Sequence, residues 1–126
     1  MTGLAARFFL SAIVYAILGM ALGLVMGMTQ DHTQMPTHAH MLVIGWVSFA
    51  LFGLFYHLFP NAAATRLATA HFWLAQVSFV ALIVGLFLIF SGRPDADPIA
   101  AIASTGLLVS MILFGVIALP VVTGRR

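Results

Sequence analysis

Four apolar runs, each of about twenty residues, decide what this chain can become, because that length crosses the hydrocarbon core of a bilayer as an α-helix. They are Arg7 to Met28, His40 to Phe59, Leu67 to Phe90 and Ile99 to Val122. Pro60 and Asn61 stop the second, "SGRPDADP" ends the third, and Pro98 stands where the first turn of the fourth tolerates a missing donor. A soluble domain carries roughly a quarter charged residues. Here 6% are charged and 63% are hydrophobic, too few polar groups to cover a water-facing surface. The sequence therefore predicts an all-α integral membrane protein. Its first apolar run has no small-residue cleavage motif and reads as a retained helix.

All three connections are short, so consecutive helices pack as antiparallel neighbours. Residues 1–126 form one four-helix bundle with no second domain. Arg7, Arg66, Arg125 and Arg126 fall at one end of that bundle. Arg93 lies at the other, with Asp31, Asp95 and Asp97. The excess of arginine marks the cytoplasmic side. Both termini are expected there, in a multi-pass protein of the inner (cytoplasmic) membrane, with the first connection facing outward. The chain has no basic stripe for nucleic acid. It has no cysteine for a disulfide or a thiolate metal site. Gly19, Gly23 and Gly27 recur every four residues along the first run and suggest a packing face, within the chain or across a dimer.

The five histidines sort by depth. His32, His38 and His40 gather at the outer mouth, within "MTQDHTQMPTHAHML"; His57 and His71 share the inner end on adjacent helices. Histidines at membrane depth are costly unless they are paired or used. Two backbone conformations separate the ligand readings of "HAH". If the second helix already runs at Thr37, His38 and His40 point about 200° apart, and only one of them can serve a given iron. If it starts at His40, the two can converge as a chelating pair for copper or zinc. Soft thioethers and imidazoles suit Cu(I), so an outward copper site would draw on His32, Met35, His38 and His40, with Met28 and Met41 nearby. The chain has no glutamate or lysine, and none of the four runs contains an aspartate. A carboxylate relay is therefore not expected. Ser48, Ser78, Thr105, Ser110 and Gln76 read mainly as helix-joining or backbone-satisfying groups. Tyr56 and Trp73 fit an interfacial aromatic belt.

The segment "THAHMLVIGWVSFALFGLFYHLFP", Thr37 to Pro60, resembles the second transmembrane helix of subunit I of heme-copper oxidases and nitric oxide reductases. With "HFWLAQVS", His71 to Ser78, it looks most like the short four-span proteins described as heme-copper oxidase subunit I-like. The resemblance covers roughly residues 37 to 80. It implies that His38 or His40, with His40 the better match, is an axial ligand of b-type heme. It also implies a role in electron transfer or beside respiratory-complex subunits. The late helices that carry the other ligands of the large enzymes have no counterpart here, so this chain alone is not a complete terminal oxidase or nitric oxide reductase. Two routes to heme binding then remain open. Two protomers of a homo-oligomer can each donate His38 or His40, or His57 and His71 can clasp an inner heme between splayed helices. Copper binding without heme, and a cofactor-free structural or assembly subunit, are the alternatives.

Overall fold

The computed structural model describes residues 1–124, and Arg125 and Arg126, half of the arginine signal for the cytoplasmic end, lie outside them. Among the described residues there is no strand, and four helices are long and apolar enough to cross a membrane. They are α1 (Gly3–Thr29), α2 (Met35–Leu58), α3 (Arg66–Phe90) and α4 (Asp97–Val122). At 1.5 Å per residue α1 is about 40 Å long, which exceeds the hydrocarbon thickness with room for tilt. A single helical turn, Pro60–Ala63, joins α2 to α3, and a 3₁₀ turn, Pro94–Ala96, leads into α4. Pro98 lies in the first turn of α4, as its missing N–H allows.

The helices start earlier than their apolar runs, and at α2 the difference matters. It begins at Met35, five residues before His40. Pro36 in the first turn presets a helical φ. Thr37, almost fully buried, donates its hydroxyl to Gln34 Oε1 at 2.7 Å. Gln34 in turn donates to the Phe87 carbonyl at 3.1 Å and to Ser91 Oγ at 3.0 Å, tying the first connection to the C-terminal end of α3. In that connection Asp31 accepts from the Thr33 hydroxyl and amide, at 2.6 and 3.1 Å. Those two bonds hold its carboxyl below the ordinary aspartate range.

The middle of α2, Met41–Ser48, is wound as a π-helix. Ser48 follows that winding, donating to the Val43 carbonyl five residues back at 3.3 Å. Such insertions are rare and recur at functional sites. Here the π-segment separates an N-terminal part of α2 carrying His38 and His40 from a C-terminal part carrying Tyr56 and His57.

The four helices form two hairpins, α1 against α2 and α3 against α4, and each helix packs most extensively on its hairpin partner. Lipid tails are as apolar as leucine, so burial alone does not hold helices together in a bilayer; close packing and hydrogen bonds do. The hairpins meet along an aromatic seam in which Phe8, Phe49 and Phe79 are fully enclosed. Beside it Tyr15 of α1 donates to Gln76 Oε1 of α3, and Gln76 Nε2 donates to Ser11 Oγ at 2.5 Å. Gln76 thus joins helices, as expected. Ser48, Thr105 and Ser110 satisfy carbonyls of their own helices, also as expected.

Candidate functional site

Because α2 is helical from Met35, His38 and His40 leave it in different directions. His38 turns to α1 and donates from Nδ1 to the Gly19 carbonyl at 2.7 Å. Its ring rests on Gly23, where a Cβ would stand 2.6 Å from Cε1 and 3.4 Å from Nε2. Gly19 meets Met41 and Leu42 of α2 in the same way, while Gly27 has no neighbour within 4 Å. Two of the three spaced glycines therefore serve contact within one chain, and the third does not. His40 donates from Nδ1 to the Pro36 carbonyl of its own helix, also at 2.7 Å. The extended alternative, in which His38 and His40 chelate one metal, does not survive: the helix directs the two imidazoles to different carbonyls.

The wider copper set is likewise scattered. His32 is exposed in the connection, with Nδ1 3.2 Å from the Gln30 carbonyl, and Met35 is exposed at the start of α2. Among the described residues, no three histidine or aspartate side chains come together to hold a metal.

Where α2 ends and α3 begins, the expected pair, His57 and His71, is not formed. His57 is exposed, beside a cleft of about 270 Å³ bordered by Thr2, Leu4, Pro60 and Ala63. His71 is fully buried, and its partner is the residue next to His57: Tyr56 Oη lies 2.9 Å from His71 Nδ1. One position on a helix is about 100° of rotation, enough to exchange a surface residue for a buried one. The Tyr56 ring is 1% exposed, so it is not a belt residue; Trp73, 56% exposed, keeps that position. Around His71 stand Phe52, Phe8 and Phe114, with ring centroids at 4.7, 5.1 and 5.4 Å. The rings enclose His71 completely, so a heme clasped between His57 and His71 does not fit there. An open cleft of about 730 Å³ lies between the α2–α3 turn and the end of α4, bordered by Phe59, Asn61, Leu67, Ile117 and Pro120. It contains no imidazole.

The hydrogen-bond partners decide what each neutral imidazole offers. A backbone carbonyl only accepts, so Nδ1 of His38 and of His40 must carry the proton, and Nε2 then keeps its lone pair. At His71 the partner is a hydroxyl, which can donate. If Nδ1 were the donor there, both the tyrosine O–H and the His71 Nε2 lone pair would lack partners. With Tyr56 donating, only an Nε2–H is left over. That is the cheaper assignment, and Nε2 of His71 is the buried side-chain nitrogen without a partner among the described residues. His38 and His40 thus present ligands, and His71 presents a donor.

The cradle under His38 gives a direct check. Gly23→Val would force the imidazole from the Gly19 carbonyl and part α1 from α2. A loss of about 1–3 kcal/mol is expected, with loss of the hydrogen-bonded Nδ1–H resonance of His38 in ¹⁵N NMR. An unchanged resonance would refute the contact.

No protein-family model matches this chain, and no curated protein or solved structure matches it either.

Proposed function

We propose that this protein binds b-type heme through His40 and acts in electron transfer, alone as a homo-oligomer or beside subunits of a respiratory complex. One observation carries the reading: His40 Nδ1 donates to the Pro36 carbonyl at 2.7 Å, which fixes the ring and leaves Nε2 as a bare donor atom. Histidines that ligate metals ordinarily anchor their second nitrogen in this way. A heme iron asks for only one nitrogen on each face, so the lack of a three-ligand cluster weighs against a closed copper or zinc site and not against heme. His38 has the same tautomer, but its Nε2 edge lies close to Gly23 of α1, which favours His40. The similarity of Thr37 to Pro60 to the second helix of heme-copper oxidase subunit I points to the same residue.

In this reading the chain's residues orient the ring and hold the proton on Nδ1; a heme held there would supply the one-electron chemistry. A second ligand would come from a second protomer or another subunit. The orientation follows the positive-inside rule, with Arg7 and Arg66 at the cytoplasmic end and both termini there, in the inner membrane. The outer end then holds His40, on the side from which the second helix of the large enzymes takes its heme ligand.

The test is a reduced-minus-oxidised spectrum of the protein purified in mild detergent after growth with ample heme. An α-band is expected. It should disappear in His40→Ala and persist in His57→Ala and His71→Phe. Stoichiometric copper without a Soret band would overturn the proposal in favour of a copper protein, and no chromophore at all would favour a structural subunit.

A further inference from the structure

The buried Nε2–H of His71 has no use in the heme reading, and a second feature lies close to it. Between the π-segment of α2 and the middle of α4 the two hairpins leave a crevice of about 200 Å³, bordered by Ile44, Ser48, Phe52, Leu108, Ser110 and Met111. Its two hydroxyls are tied to the backbone, Ser48 to Val43 and Ser110 to Leu107. The remaining wall is apolar. Phe52 belongs to both places. It walls the crevice, and its ring stands edge-to-face on His71 at 4.7 Å and 84°. A single phenyl ring therefore touches both the crevice and the imidazole whose Nε2 has no partner among the described residues.

We propose that this crevice and His71 together form a binding site for a small, membrane-soluble aromatic carbonyl compound, whose oxygen accepts the Nε2–H once Phe52 rotates aside. The occupant is defined by what the site lacks and what it already has. It lacks one acceptor. Tyr56 is already committed to Nδ1, and the neighbours of His71 are phenyl rings, so a water would find one partner where it needs two to four. An acyl chain brings no acceptor. An aromatic carbonyl brings one, together with a ring that packs on Phe52 and Phe114 in the offset or edge-to-face arrangements that aromatic pairs prefer. The volume is of the order that admits a single substituted benzene. The Tyr56 hydrogen bond is the positioning element: by holding the proton on Nε2 it makes His71 a donor, and so selects ketones and aldehydes over phenols.

The experiment uses the full chain in detergent with histidine labelled in ¹⁵N, titrated with acetophenone and, separately, with α-methylstyrene, which replaces C=O by C=CH₂ in nearly the same shape. Acetophenone should shift the His71 Nε2–H resonance saturably, and the hydrocarbon should bind at least about tenfold more weakly, as expected for loss of one buried hydrogen bond. Leu108→Trp alters an exposed residue at the rim and should close the crevice, abolishing the shift while leaving the Tyr56–His71 bond intact. His71→Phe should bind the two compounds equally. If both compounds bind alike in the unsubstituted protein, or if acetophenone leaves the His71 resonance unmoved, the proposal is wrong. Neither of those outcomes needs a variant to fold, and both are independent of heme.

Discussion

Phe8→Ala is expected to unfold this protein more readily than any other single aromatic truncation. Phe8 is fully buried and touches more of the seam than its neighbours do. Its ring lies 5.6 and 5.5 Å from Phe49 and Phe52, 5.7 Å from Tyr56, 5.1 Å from His71 and 4.9 Å from Phe72. It is the wedge from α1 on which both α2 and α3 pack. Removing it leaves a cavity bordered by rings that can only partly collapse, and truncations of this kind cost about 3–5 kcal/mol. In a bilayer the transfer part of that figure shrinks and the lost contacts remain, so the lower end is expected. Reversible unfolding in mixed micelles at rising SDS would measure it. Phe8→Leu, which fills most of the space, should recover much of the loss.

The second large effect is expected at Gly85. There α3 and α4 approach so closely that a Cβ would stand 2.9 Å from the Ala100 backbone nitrogen. A backbone atom cannot swing away as a side chain can, so Gly85→Leu must push the helices apart at a close backbone-to-backbone contact. Overpacking costs typically 1–3 kcal/mol, and this position should reach or exceed the top of that range. Gly115, on the same hairpin, is the control. It is helical and has nothing within 4 Å of an added Cβ. Gly115→Ala should therefore be neutral or stabilising by up to about 1 kcal/mol. If both variants unfolded alike, close backbone approach would not be what holds this hairpin.

Hydropathy made the four crossings legible, because twenty consecutive apolar residues have few other uses. It could not indicate which side of a helix faces the protein. In water a buried face stands out by contrast with a polar one, but here both faces are apolar. Phe72 and Trp73 are neighbours in sequence, one in the core and one facing outward. Nothing in their chemistry ranks them. The same blindness explains His57 and Tyr56. Their position along the helix was legible, and rotation about its axis could not be read at all. The π-segment was equally hidden, since "MLVIGWVS" contains no residue that demands it. The start of α2 was a different kind of miss. The apolar run begins at His40, but Pro36 and the Thr37–Gln34 hydrogen bond start the helix in polar sequence. That shift separated His38 from His40. What the sequence did reveal about the site was its donor inventory, including Gln76 as a link between helices.

Order of synthesis gives the Tyr56–His71 and Tyr15–Gln76 bonds a further meaning. The chain emerges from its N-terminus, so α1 and α2 enter the membrane as a pair before α3 exists. In that half-protein Phe8, Phe49 and Phe52 face acyl chains at little cost. His38 is already satisfied, since Gly19 belongs to the same hairpin. The two tyrosine hydroxyls are not, because both their partners arrive on α3. A half-made chain therefore differs from a finished one in two phenols that still lack their partners. Membrane quality control that senses unsatisfied polar groups could tell an orphaned first hairpin from a completed protein by those two side chains alone.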